Sequence, residues 1–191
     1  MRGLIPIVLA GLTLATPAGA STVVDGPELA VRFFNTIPDV CFQTSRGHPP
    51  TVENATSLLL EPATTVPQTV KTHFGKVTSW FRLKSQPDNV FVGIGDRPNA
   101  CHVVLANTTQ TVEVQNRVMG FLKVGGFQII KANSTPDSDT DMLFVKKAPD
   151  GYMLISLQAP KNTLHGGVGD QGAVHVNLMP TALFEAMLSK R

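Results

Sequence analysis

The sequence predicts an α+β fold: a single antiparallel β-sheet (meander plus hairpin) covered by helices on one face, with one disulfide. Three observations carry that reading. Apolar, strand-like runs at 77–84, 90–94 and 101–106 are separated by two short polar turns, the signature of an antiparallel meander. Between the strand-like runs 101–106 and 127–131, apolar residues recur at Val114, Val118, Phe121 and Leu122 with helical spacing. Cys41 and Cys101 are the only cysteines, and an even pair in an exported chain reads as a bridge.

The chain opens with a short positive start, an apolar run from Leu4 to Leu14, and Ala18-Gly19-Ala20 before Ser21. That is the layout of a signal peptide over 1–20, cleaved after Ala20. The apolar run is too short to span a bilayer, which needs about 20 residues. The expected mature chain, 21–191, is one α+β domain with no later apolar segment of spanning length. Removing Arg2 leaves 15 basic residues against 14 acidic ones, and they are scattered. A balance so near zero argues against nucleic acid or anionic lipid as a partner. Sequons at Asn54, Asn107 and Asn133 fit a glycosylated secretory protein or chance. The short Ala-rich leader and the two cysteines favour a bacterial periplasmic or secreted protein.

Taken in order, Asp25 is the expected N-cap of a first helix, with Pro27 in the first turn and Glu28 behind it. Leu29, Ala30, Phe33, Phe34 and Ile37 form its apolar face, and Pro38 is the expected stop. Short helices are expected over 51–60 and 66–74, the second stopped by Gly75. Strands then follow at 77–84, 90–94 and 101–106, the long helix from Thr111 to Gly125, and a strand at 127–131. Strands 142–147 and 152–157 are joined by the hairpin turn Ala148-Pro-Asp-Gly151. The glycine-rich segment 160–172 is irregular and expected to be the most mobile. A last strand at 173–178 precedes a C-terminal helix started by Pro180, with Leu183, Phe184, Met187 and Leu188 on one side.

Few chemical motifs emerge. Gly93-x-Gly95 lacks the third glycine and following helix of a dinucleotide site, and reads as a β-turn. His165-Gly166-Gly167 has the form of an oxyanion turn, yet no Gly-x-Ser-x-Gly accompanies it. The five histidines, His48, His73, His102, His165 and His175, include no close pair, so spacing indicates no metal site and no cofactor. Cys101 and His102 are neighbours on a strand and point to opposite faces, which argues against a thiol–imidazole dyad. Asp137, Asp139 and Asp141 alternate without the glycine turn of a calcium loop.

The exported start, the apolar helix running towards Cys41, the Trp80 strand and Cys101-His-Val-Val104 together resemble small exported proteobacterial domains of unknown function with two similarly placed cysteines. That resemblance implies a periplasmic address and no established reaction. The sequence therefore leads to the expectation of a non-enzymatic binding or interaction domain for a protein or small-molecule ligand, with His165 and Asp170 as candidate polar groups. The rival expectation is an exported hydrolase whose site is gathered from loops, with His165 or His175 as base.

Overall fold

A computed structural model describes residues 27–72, 76–97, 100–108, 110–133, 140–159 and 172–190. The first helix, α1 (Pro27–Thr36), buries Leu29, Ala30 and Phe33 on one side, as its spacing requires. The expected cap Asp25 and the leader 1–20 lie outside the described residues. Pro38 does not stop the helix. The chain continues through a π turn (Ile37–Cys41) into α2 (Phe42–Ser45), and the Phe42 N–H donates to the Ile37 carbonyl. Proline has no N–H to give and its ring crowds the preceding turn; the wider turn accommodates both. Cys41 consequently sits inside the helical stretch rather than beyond it.

Residues 51–60 are not one helix. Thr51 and Asn54 trade hydrogen bonds, the Thr51 N–H reaching Asn54 Oδ1 at 2.7 Å and the Asn54 N–H reaching Thr51 Oγ1 at 3.4 Å. Such side-chain bonds give the backbone an alternative to the helical ladder. Only a 3₁₀ turn (Ala55–Leu58) forms, Leu59 takes a left-handed φ of 59°, and the chain enters a strand, β1 (Leu60–Pro62). The next helix, α3 (Gln68–Thr72), begins two residues later than the spacing suggests, and 73–75 lie outside the described residues.

The remaining elements are β2 (Val77–Leu83), β3 (Val90–Gly95), β4 (Cys101–Leu105), α4 (Thr111–Val124), β5 (Gln128–Asn133), β6 (Thr140–Ala148), β7 (Gly151–Ala159), β8 (Gly172–Met179) and α5 (Thr181–Leu188). The strands run β1-β2-β3-β4-β8-β7-β6-β5, and every neighbouring pair is antiparallel. The order describes two four-stranded meanders joined through their last strands, β4 and β8. Between them α4 carries the chain from the middle of the sheet to its far edge. The β6–β7 turn closes at Gly151, whose φ of 148° and close approach to the Met179 carbonyl leave no room for a side chain.

Alternation along the strands divides the core. Phe81, Leu83, Val90, Val92, Val103, Leu105, Ile155 and Leu157 face α1, the π turn and α4 in one continuous cluster. Phe34 meets Phe121 edge-on at 4.9 Å between the two helices. Cys41 and Cys101 are fully buried in this cluster and form the disulfide, with 5.3 Å between their Cα atoms. The bridge ties the π turn to β4, fourth in the order of the eight strands among the described residues.

The helices are not confined to that face. On the opposite one, Val70 of α3 and Val66 just before it pack on Phe91, Val104 and Ala106, with Trp80 at the margin. Phe184 of α5 packs on Val145 and Leu154, with Tyr152 stacked 4.2 Å from it. These two clusters are separate, because the outward positions of the strands between them include polar residues and glycine.

Candidate functional site: a groove at the seam of two meanders

The gap between the two small clusters lies over β4 and β8. On β4, Cys101, Val103 and Leu105 point into the helix-covered core, so His102 and Val104 point the other way. His102 pairs in register with Gly93 on β3 and with His175 on β8; His175 in turn pairs with Ser156 on β7, and Ser156 with Leu143 on β6. One row of register positions across the sheet thus runs Gly93, His102, His175, Ser156 and Leu143.

Gly93 lies within β3 as the strand expected at 90–94 requires, whereas Gly95, expected to open a turn, ends that strand. A Cβ on Gly93 would lie 3.0 Å from the Trp80 indole, which lies across it. A Cβ on Gly95 would lie 2.8 Å from the Ala100 Cβ and 3.4 Å from His102 Nε2. Beside Gly95 lies a groove of about 500 Å³, within the range that holds small molecules. Its floor is His102, Ser156 and Asn177, its apolar wall is Leu143 and Leu154, and Lys76, Asp96 and Arg97 stand at the β3–β4 end with Gly95 and Ala100. The Asp96 N–H donates to the Lys76 carbonyl at 3.1 Å, which holds these two charged residues side by side.

The groove's electrostatics are uneven. His102 is largely removed from water, and that burial pushes its pKa down to about 4, so the ring is neutral at physiological pH. The ion pairs of the described residues lie elsewhere: Glu28–Arg32, Glu61–Arg82, Glu113–Arg117 and Lys131–Asp141. Lys76, Asp96 and Arg97 have no side-chain partner among the described residues, and the same holds for the Ser156 hydroxyl and the Asn177 amide. The site therefore presents two cations, one carboxylate, a neutral imidazole and two neutral polar groups.

Two strand spacings, roughly 10 Å, separate the backbones of His102 and Ser156. An imidazole titrating at about 4 is a weak base at neutral pH. No group of three or more His, Cys, Asp or Glu among the described residues is placed to hold a metal ion. No helix among them is long and apolar enough to cross a membrane.

Of the residues singled out from sequence, Cys41 and Cys101 are joined as expected. His165 and Asp170 lie outside the described residues. His175 holds the register position between His102 and Ser156. Sequence reasoning missed Lys76, Gly93, Gly95, Asp96, Arg97, Ser156 and Asn177. Strand alternation could have assigned His102 and Ser156 to outward positions, but nothing in the sequence indicated that β8 would lie between their strands. Comparison of the chain with family models, with curated proteins and with solved structures returns no match to any of them.

Proposed function

We propose that this protein is an exported, non-enzymatic binding domain whose ligand occupies the groove over β4 and β8. One observation carries the reading: a cavity of about 500 Å³ lined by Lys76, Asp96, Arg97, Ser156 and Asn177, whose side chains have no partner among the described residues. Ser156 and Asn177 are partly withdrawn from water, which costs free energy unless something pairs with them, and a ligand would do so. Export is supported by the leader-like residues 1–20 and by the disulfide, which persists in oxidising compartments. Isotope-labelled oxidised protein titrated with pooled small molecules tests the binding reading. Amide shifts at Gly95, Ala100, Ser156 and Asn177, with none at Phe33 or Leu122, are expected. Shifts scattered over both faces would reject it. Intact mass of the protein recovered from an exporting cell should correspond to a chain beginning at Ser21.

A further inference from the structure

The groove has a chemical preference, and this inference rests on its being a ligand site. We propose that the ligand is a small amphipathic monocarboxylate, its head held by Lys76 and Arg97 and its apolar body laid against Leu143 and Leu154. The two cations and Asp96 give this end of the groove a local balance of one positive charge. A monoanion neutralises that balance, whereas a phosphate dianion would exceed it and face Asp96. The guanidinium offers paired donors that match a carboxylate, and the lysine adds a mobile point charge. Neither cation must give up an ion pair among the described residues to do this. Leu143 and Leu154 lie on the same outward face as Ser156, further along the groove. A charged head at one end and an apolar wall at the other fix the ligand's direction. The neutral His102 ring adds no charge, so the floor neither attracts nor repels the apolar part.

Lys76, Asp96 and Arg97 are exposed, so changing them tests recognition with little effect on folding. The experiment titrates the oxidised full chain with sodium hexanoate, hexan-1-ol, hexylammonium chloride and hexyl phosphate, reading amide shifts at Gly95, Ala100, Ser156 and Asn177. Hexanoate is expected to bind roughly tenfold tighter than hexanol, the size of one charge-assisted contact, and tighter than the other two. The double variant Lys76→Gln with Arg97→Gln should erase that preference, while Asp96→Asn should strengthen hexanoate binding. Unchanged melting midpoints would show that these variants fold. Hexanol binding as tightly as hexanoate would overturn the proposal and leave the groove a ligand site. Hexylammonium binding best would overturn it in favour of a cation held by Asp96, and hexyl phosphate binding best would replace the carboxylate by a phosphate. Silence of all four groove amides towards all four probes would overturn both this proposal and the reading of the groove as a ligand site.

Discussion

Among the described residues, the two faces of the sheet differ in how completely they are closed. On one, α1, the π turn and α4 cover a continuous apolar layer with the disulfide inside it. On the other, α3 and α5 cover two separate clusters and leave the middle of the sheet to polar side chains and glycine. The lesson is one of division of labour across a single backbone layer. Cys101 and His102 are neighbours in sequence, yet one belongs to the layer that holds the fold and the other to the groove. A change on one face should therefore act on stability, and a change one residue away on recognition.

The largest break in that comparison should come from the closed face. Replacing Cys41 and Cys101 together by alanine opens a loop of 60 residues and should remove about 4 kcal/mol on the chain-entropy model. For a chain of this length that is roughly 10 °C in melting midpoint, measurable by calorimetry. A loss of only a degree would mean that apolar packing alone closes this face.

Next comes acid sensitivity from the open face. In the unfolded chain the His102 imidazole titrates near 6.5, and in the folded chain at about 4. Between those values the unfolded state holds a proton that the folded state refuses. Stability is thus fully present above pH 6.5, falls as the pH drops, and has lost up to about 3 kcal/mol by pH 4. Urea midpoints at pH 7, 5.5 and 4.5 should record the decline, and His102→Gln should flatten it. A parallel decline in the variant would assign the acid sensitivity to carboxylates instead.

A smaller effect is expected at Gly93. Its alanine variant pushes against the Trp80 indole and should cost roughly 1–3 kcal/mol through overpacking. Trp80 is the only tryptophan, so its fluorescence reports the displacement directly. Unchanged emission would show that the indole does not depend on the glycine. The smallest effect sharpens the contrast at the edge of the sheet. Glu61 meets Arg82 at 2.6 Å with both side chains more than a third exposed. Glu61→Gln should shift the urea midpoint by less than about 1 kcal/mol equivalent.

What the sequence revealed follows the range of the forces involved. Alternation along β2, β3 and β4 and the 148–151 turn are local, and they were legible. The two cysteines could pair in only one way within the chain. Pro38 misled because a proline normally ends a helix, and the π turn that spares this one has no residue signature of its own. Leu60 was assigned to a helix because its partner, Leu83, is 23 residues further on. The groove was least legible of all. Its residues come from β3, β4, β6, β7 and β8, and only the strand order assembles them. Gly93 and Gly95 looked like punctuation because a glycine's usefulness in a strand depends on the side chain lying over it, and that side chain belongs to another strand.

The pairing of β4 with β8 also sets a schedule. β8 begins 71 residues after β4 begins, which at ordinary synthesis rates of about 5–20 residues per second is a delay of roughly 4–14 s. Throughout that interval the first meander can be complete while the outer edge of β4 still offers its amides and carbonyls to any passing strand. A nascent chain halted before Gly172 would carry two such bare edges, on β4 and on β7. The last strand to be made is therefore the one that protects the rest from self-association, and early termination is the lesion this architecture tolerates least.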